Sequence, residues 1–510
     1  MNNDFYTPIT SGKELRTKLQ NGVNAICDVV GSTQGYRGRT VLLEDKGLPK
    51  PSKDGFTVAE SIFLQDKVEA LACETAKEAS RKTAHEAGDS TSATLVLLQA
   101  FFNNSIKAID SGKSAIDVKL SIEKSKEIVL KELSKLSIPL KKEMIYDLAK
   151  TSANGDTEIA KIVFEAFDKA GENGSVGHVR SNSDDTYLEY IDGTLVERGF
   201  ADERFVNVHS NQTVVFDNNP LVLISNINFQ TIKQIVPFLN LCAEQNKELL
   251  IVSEMEFNVL DAIISNVVKR GLKFAVVTPP SIGKKRQELL SDLSLVCETE
   301  MISSFSGSDF TGRESMFLGV AKSITVTKDN TIIVKHDDTD LEPINGRILE
   351  IKEQLKLATN PVHIQNLEDR IAKLSGGVAL IKVGGITPSE VEERIDRVDD
   401  AVRAVRSGKE EGVIAGGGVA LYHISSNKKL DEVTKISLGK PMLTILDNAG
   451  CVDVTFGKYP RGYDVKDFKE VNMLKAGIID STKAIRNAYS NAISASNSLL
   501  MCANVVTLNK

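Results

Sequence analysis

The stretch AGDSTSATLVLLQAFF, residues 87–102, joins a cluster of small polar residues to an apolar run. Asp89, Ser90, Thr91 and Ser92 are all good N-cap residues, and the run that follows is apolar nearly all round, which predicts a buried helix. The start of a helix exposes unpaired N–H groups and can bind an anion. An acidic residue there would repel phosphate unless a divalent cation lay between them. Asp89 beside three hydroxyls therefore fits a magnesium–phosphate site, although a plain capped helix is the simpler interpretation of this spacing alone.

Three other segments carry candidate ligand-binding residues. In VGSTQGYRGRT, residues 30–40, the glycines permit close approach of the backbone to a ligand. In RVDDAVRAVRSGKEEGVIAGGGVAL, residues 397–421, three glycines precede an apolar helix, and Arg403 lies four residues after Asp399, as in a surface ion pair. In AGIIDSTKAIRNAYSNA, residues 476–492, Asp480 is either a ligand contact or the N-cap of the next helix. The Walker A pattern occurs nowhere in the chain.

Composition excludes several classes of function. The 510 residues include 62 Lys and Arg against 69 Asp and Glu, which gives a net charge of −7 and argues against clamping nucleic acid. The chain has no Trp, and its six cysteines and six histidines show no metal-binding spacing. The N-terminus does not read as a signal peptide, and no apolar run approaches the roughly 18 residues of a membrane span. We therefore predict a cytoplasmic protein without nucleic-acid or membrane partners.

The pattern of residues changes twice along the chain. Residues 1–135 and 139–170 read as helical, whereas short β-branched runs from 185 onward alternate with helices and include a hairpin that turns at 328–330. A charged helical pair follows at 346–374, and the chain is helical again after 388. This order predicts a helical domain built from both ends of the chain, with an α/β insertion between them.

Eight collinear stretches together resemble the group I chaperonins over essentially the whole length. They are GYRGRTVLLEDKG, SKDGFTVAESI, GDSTSAT…VLLQA, TSANGDTEIAKIVFEAFDKAGENG, VERGF, RIAKLSGGVALIKVGG, RVDDAVRAVRSGKEEGVIAGGGVAL and AGIIDSTKAIRNA. The chain diverges between them, which suggests a member outside the bacterial housekeeping set; a phage-encoded origin, with the host cytoplasm as location, is our hypothesis.

The resemblance implies a multidomain α+β and α/β architecture with three domains. The equatorial domain is predicted to be helical and to comprise residues 1–135 and 408–510. The intermediate domain, which resembles a hinge, would comprise 136–191 and 376–407, and the α/β apical domain 192–375. Gly193 and the Gly376–Gly377 pair lie where the family hinges, and glycine accommodates large backbone rotations there.

The resemblance also implies an ATP site that uses Mg²⁺, with K⁺ as a second cation. Asp89 matches the magnesium ligand, and the phosphate-binding run that follows matches Ser90, Thr91 and Ser92. Here Ser90 replaces a glycine and Ala93 removes a hydroxyl, which bears on how tightly phosphate binds. The other matched positions are Thr33 and Gly35 in the second phosphate loop, Lys53 and catalytic Asp54 beside the γ-phosphate, Gly417, Asp464 and Asp480 at the nucleoside, and Asp400, which would position or deprotonate the attacking water.

Two apolar stripes in the middle of the chain are candidates for binding unfolded polypeptide. Phe229, Ile232, Val236 and Leu239 have helical spacing, as do Leu260, Ile264 and Val268. Such stripes are more often core, but these segments are apolar on more than one side, and exposed apolar patches mark interaction sites. By resemblance the binding residues are Phe200, Phe205, Val236, Leu239, Leu260 and Ile264. Arg204 replaces a tyrosine and Ser265 a valine, which predicts a less apolar groove.

The implied function is an ATP-hydrolysing folding chaperone that forms a seven-membered homo-oligomeric ring around non-native polypeptide, with a cochaperonin as a further candidate partner. The segment between Gly418 and Tyr463 is shorter than in the family, where it carries much of the contact between rings, so both single and double rings stay open. The alternative is a passive holdase or assembly scaffold with weak or lost turnover. Ser90 and Ala93 favour this alternative, whereas the retention of Asp54, Asp89 and Asp400 argues against it.

Overall fold

A computed structural model describes most of the chain. The described residues are 9–45, 47–171, 175–181, 183–191, 193–209, 212–306, 310–358, 361–375, 377–452 and 454–507. They divide into two compact units, one formed by Met1–Phe164 with Thr387–Lys510 and the other by Glu165–Ile386. The finer boundaries of the three predicted domains stay predictions. Of the proposed hinge residues, Gly193 begins a strand, Gly377 precedes another, and Gly376 lies outside the described residues.

The described α-helices number seventeen, besides four 3-10 helices of three residues each. They are α1 (Gly12–Gly31), α2 (Gly55–Glu60), α3 (Lys67–Ala87), α4 (Thr91–Asp110), α5 (Ala115–Leu136), α6 (Ile145–Ser152), α7 (Thr157–Ala170), α8 (Val236–Glu244), α9 (Phe257–Arg270), α10 (Gly283–Val296), α11 (Leu341–Leu357), α12 (Pro361–Ser375), α13 (Pro388–Glu411), α14 (Val419–Ile424), α15 (Glu432–Leu438), α16 (Lys440–Asn448) and α17 (Thr482–Leu500). Among the described residues, no helix is both long enough and apolar enough to cross a membrane.

The strands are shorter and fall into six sheets. They are β1 (Ile9–Ser11), β2 (Val41–Asp45), β3 (Leu48–Ser52), β4 (Ser175–Arg180), β5 (Tyr187–Ile191), β6 (Gly193–Val196), β7 (Val214–Phe216), β8 (Leu221–Phe229), β9 (Leu249–Met255), β10 (Phe274–Val277), β11 (Leu318–Val326), β12 (Thr331–Lys335), β13 (Val378–Val383), β14 (Val413–Ala415), β15 (Arg461–Asp464), β16 (Lys469–Asn472), β17 (Ile479–Ser481) and β18 (Asn504–Val506).

The discontinuous unit is a bundle around α4, the helix that the apolar run at 95–102 predicts. Phe101 and Phe102 are fully buried, and the Phe101 ring lies 5.9 Å from that of Tyr489 on α17. Helices α1 and α3 approach so closely that a Cβ atom added at Gly22 would lie 2.3 Å from the carbonyl oxygen of Glu69. The core therefore needs both ends of the chain.

Short antiparallel strands join the two chain segments of this unit. Strand β1 pairs with β18, and Ile138 forms a bridge with Val413, whereas β14 and β17 pair within the C-terminal segment. The β2–β3 and β15–β16 hairpins were not predicted, because they are four or five residues long and rich in Pro and charged residues rather than in alternating apolar ones.

The inserted unit is α/β, as its sequence pattern predicts. Its main sheet has the order β10-β9-β8-β11-β12-β6, with β7 also pairing with β11, and the strands β8, β9 and β10 are parallel. The predicted hairpin is present, since β11 and β12 are antiparallel and the Thr327 N–H donates to the Asn330 carbonyl at 2.8 Å. A second sheet, β4-β13-β5, lies in the same unit.

Candidate functional site

One cleft in the discontinuous unit, of about 280 Å³, gathers the predicted nucleotide-site residues. Its walls come from many short parts of the chain that are up to about 450 positions apart in sequence. All twelve predicted residues line it: Thr33, Gly35, Lys53, Asp54, Asp89, Ser90, Thr91, Ser92, Asp400, Gly417, Asp464 and Asp480.

The polar wall of the cleft is formed by the start of α4. Ser90 is its N-cap with a left-handed φ of 69° and makes no side-chain cap bond, so the plain capped-helix interpretation is wrong. The Asp89 carboxylate accepts the Ser90 N–H and, at 2.8 Å, the Ser152 hydroxyl. Burial raises the pKa of Asp89, and the nearby charge of Asp54 raises it further. Because φ at position 90 is positive, the serine there adopts a conformation that glycine adopts without strain.

The start of α2 forms a second polar wall. Asp54 caps this helix, because its carboxylate accepts the Thr57 N–H at 2.7 Å and the Phe56 N–H at 3.3 Å. A Cβ atom added at Gly55 would lie 2.0 Å from Ser92 Oγ, so only glycine lets the two helix starts approach this closely. The Lys53 ammonium donates to the Tyr36 carbonyl at 3.3 Å, and burial, followed by the charge of Arg397, lowers its pKa.

Asp400 reaches the cleft from α13. Burial raises the pKa of its carboxyl well above the ordinary value, and the charges of Asp54 and Asp89 add to this effect. Its neighbour Asp399 instead pairs with Arg403, at 2.7 Å between Oδ2 and Nε, which confirms the predicted ion pair. Three carboxylates thus converge on the cleft, and the excess negative charge would be offset by a bound cation.

Asp480 lies on β17 and does not cap the helix that follows. The N-cap of α17 is Ser481, whose hydroxyl accepts the Ala484 N–H, so the capping interpretation of Asp480 is wrong. Burial and then the charge of Asp89 raise the pKa of Asp480 to about 7, although the Gly417 and Gly418 N–H groups donate to it. Gly417 and Gly418 both have positive φ, at 64° and 76°.

The other end of the cleft is apolar and was missed from the sequence. Its lining includes Leu421, Met442, Ile445, Leu446, Met473 and Ile478. Lys150 and Ser152 in the last turn of α6, and Asn154 and Gly155 in the break before α7, also line the cleft, as do Tyr36, Tyr463 and Lys466. The TSANGD motif could have signalled the first group; nothing in the sequence pattern marks the apolar residues, which lie on short, separate elements. A cleft with one apolar and one polar, hydroxyl-rich end suits a flat base joined to phosphates.

The polar end suits Mg²⁺ in its donor chemistry. Mg²⁺ prefers hard oxygen ligands and is usually bound by one or two carboxylates together with substrate phosphates and water. Asp89 supplies such a carboxylate next to backbone N–H groups and hydroxyls that can hold phosphate. In the described part of the chain, no group of three or more His, Cys, Asp or Glu side chains could hold a metal ion. This donor set thus fits a cation that arrives with its phosphate ligand.

The inserted unit buries half of the predicted polypeptide-binding residues. Phe205, Leu239 and Ile264 belong to its core with 2%, 7% and 2% exposure, so they form no exposed surface in this structure. Phe200, Val236 and Leu260 are partly buried. The predicted first stripe is wrong as a helical stripe, because Phe229 ends strand β8 and only Val236 and Leu239 lie on α8.

Other apolar side chains of this unit are more exposed than those predicted. Phe257, which was not predicted, is 78% exposed on α9, and Val268, a member of the second predicted stripe but not of the predicted binding set, is 64% exposed. Arg204, which stands where the resemblance has tyrosine, forms a two-bond pair with the Asp202 carboxylate, at 2.8 Å for each bond.

Comparisons with protein families and with solved structures both point to chaperonins. The model of the TCP-1/cpn60 chaperonin family matches residues 26–510. A crystal structure of the chaperonin gp146 from bacteriophage EL 2 (Pseudomonas aeruginosa), in presence of ATP-BeFx, is similar with a TM-score of 0.76 and 20% identity, covering 99% of this chain and 100% of that one. A second crystal form of gp146 gives a TM-score of 0.67 and 20% identity, with 98% and 99% covered. At this identity the likeness shows a shared fold.

Proposed function

Because the chain belongs to the TCP-1/cpn60 chaperonin family and is an ATP-dependent molecular chaperone, we propose that it binds and hydrolyses Mg-ATP in the cleft described above. The observation that carries the proposal is the convergence of Asp54, Asp89 and Asp400 on one cleft that has hydroxyls at one end and apolar side chains at the other. A protein that only held polypeptide would have no chemical need for three carboxylates in one cleft.

Different residues of the cleft bind the phosphates and the metal ion. The N–H groups and hydroxyls of Ser90, Thr91 and Ser92 bind the phosphates at the positive end of α4. Asp89 holds Mg²⁺, which when bound neutralises phosphate charge and orients the γ-phosphate. Lys53 adds a positive charge at the same end of the cleft.

Asp400 accepts the proton of the attacking water. Its carboxyl is suited to this role because burial and the neighbouring carboxylates raise its pKa and so increase its affinity for a proton. Asp54, held by the Phe56 and Thr57 N–H groups, orients that water. The apolar end, together with Gly417, Asp464 and Asp480, holds the nucleoside.

We propose that ATP controls the exposure of polypeptide-binding residues in the inserted unit. Phe200, Val236 and Leu260 are the partly buried members of the predicted set, and exposed Phe257 and Val268 extend it. A nucleotide can shift such an equilibrium only if it binds the two conformations unequally. The roles of Phe205, Leu239 and Ile264 require a conformation in which they are more exposed than here.

We also propose that the chain assembles into seven-membered rings. The short segment between Gly418 and Tyr463 favours single rings over double rings. K⁺, a cochaperonin, a phage origin and a cytoplasmic location stay predictions. The decisive experiment measures particle mass by mass photometry, together with phosphate release, with and without Mg-ATP. Seven copies of the 55.5-kDa chain weigh about 390 kDa and fourteen weigh about 780 kDa. Rings with Mg-dependent phosphate release would support the proposal; monomers without phosphate release would refute it.

A further inference from the structure

One face of α13 carries three carboxylates at intervals of four residues. They are Glu392, Asp396 and Asp400, and residues four apart lie on the same side of a helix. Asp400 lines the cleft, so the other two place further negative charge on the approach to it. The face as a whole must lie near Asp54, because both Asp396 and Asp400 are influenced by the Asp54 charge.

Opposite this face runs strand β3, which ends three residues before α2 begins at Gly55. Lys50 on β3 forms an ion pair with Glu392, at 2.7 Å between Nζ and Oε2. The charge of Lys50 also acts on Asp396 and opposes the effect of Asp54 on that carboxyl. The side chains of Lys50 and Glu392 are 26% and 39% exposed, so solvent only partly screens the pair.

The charges on the two elements would otherwise separate them. Asp54 faces Asp396 and Asp400, and like charges at close range repel. Other pairs hold neighbouring parts of α13: Arg397 with Asp156 at 3.3 Å, and Arg394 with Glu158 at 3.4 Å. Those pairs join α13 to α7 and the loop before it. The Arg397 charge also acts on Lys53, next to Asp54, so Arg397 offsets part of the repulsion, and Lys50 offsets it at β3.

We propose that Lys50 is a positioning residue for ATP hydrolysis, which pairs with Glu392, offsets the charge of Asp396 and so keeps the Asp400 face of α13 against Asp54. The inference rests on the proposed hydrolysis in this cleft and adds a residue that is not part of the cleft lining. Lys50 acts through the placement of Asp400, so its loss should reduce turnover and leave nucleotide binding nearly unchanged.

The test compares Lys50→Ala, Lys50→Arg and the double variant Lys50→Ala/Asp396→Asn by steady-state phosphate release. A partly exposed pair contributes about 1 kcal/mol, so Lys50→Ala should lower kcat about fivefold while KM changes less than about twofold. Lys50→Arg should retain turnover. Asp396→Asn should restore much of the loss, because an amide is no longer repelled by Asp54. The control is Lys135→Ala, which removes an equally short pair with Glu132, at 2.8 Å on α5, and should leave kcat unchanged.

A second measurement separates this inference from the proposed function. Hydrogen exchange of the backbone amides in the first half of α13 should be faster in Lys50→Ala than in the unmodified protein. In the double variant the exchange rate should return to that of the unmodified protein. If the unmodified chain releases no phosphate, the proposed function fails and the exchange pattern alone decides the role of Lys50. Wild-type kcat and exchange in Lys50→Ala, or a loss that Asp396→Asn does not reverse, would overturn the proposal.

Discussion

Replacing Asp400 with Asn separates hydrolysis from binding and from stability. The substitution keeps the size of the side chain and its capacity to accept hydrogen bonds, but it removes a proton acceptor from the cleft. It also removes one of three converging carboxylates. We therefore expect three effects in one variant: slow hydrolysis, nucleotide binding that is kept or tightened, and a more stable protein without ligand.

The size of each effect follows from the site. Removing a general base costs about 10²–10⁴ in rate, equivalent to about 3–5 kcal/mol in the activation barrier. We expect no substitute to recover this loss, because the Asp54 carboxylate is already engaged by the Phe56 and Thr57 N–H groups. The raised pKa of Asp400 means that its charged form is unfavourable in the folded state, so a neutral amide should raise the melting temperature at pH 8.

The assay is single-turnover hydrolysis of ATP, with binding measured by calorimetry and stability by thermal unfolding without nucleotide. Asp399→Asn is the matched control, since it removes one carboxylate from the adjacent position and breaks the pair with Arg403. Hydrolysis by Asp400→Asn within threefold of the unmodified rate would show that this carboxylate does not accept the proton. A lower melting temperature would contradict the electrostatic argument.

Three further predictions follow from the same structure. Asp89→Asn should weaken ATP binding in the presence of Mg²⁺ far more than in EDTA, as measured by calorimetry. An equal loss of affinity under both conditions would show that Asp89 is not the metal ligand. The pKa of Asp480 in the folded protein is raised to about 7, above its value in the unfolded chain, so this group lowers stability as the pH rises from about 4 through 7. Asp480→Asn should therefore stabilise the ligand-free protein at pH 8 and have little effect at pH 4, as measured by thermal unfolding. A stability difference that does not depend on pH would contradict this. In the inserted unit, the Arg370 guanidinium pairs with Asp292 at 2.6 and 2.9 Å, and both side chains are only 6% exposed. Asp292→Ala should thus cost about 3–5 kcal/mol of unfolding free energy in denaturant titrations, whereas a cost below 1 kcal/mol would mean that water reaches the arginine.

The helices and the cleft could be predicted because their signals are local. The run at 95–102 is apolar on nearly every side and became the central helix, and short motifs carried eleven of the twelve predicted cleft residues, all but Asp464. Capping was harder to predict, since neighbouring polar residues compete for one position: Ser481 rather than Asp480 caps α17, and Ser90 starts α4 without a side-chain bond.

Long-range contacts could not be predicted from the sequence pattern. The pair between Lys50 and Glu392 joins residues more than 300 positions apart, and neither position differs from an ordinary surface charge in the sequence. Helical spacing was also misleading at Phe229, which ends a strand, because a period of three to four residues over one or two repeats does not distinguish a helix from a strand followed by a turn.

The core around α4 has a consequence for how the chain is made. Helix α17, which buries Tyr489 against Phe101, is translated more than 370 residues after α4 ends at Asp110. At about 5–20 residues per second, the ribosome takes roughly 20–70 s to supply it. Helices α1 and α3 can pack against each other during that interval, but the face of α4 that contacts α17 stays uncovered. The nascent chain is therefore exposed to aggregation until its C-terminal helix has been made.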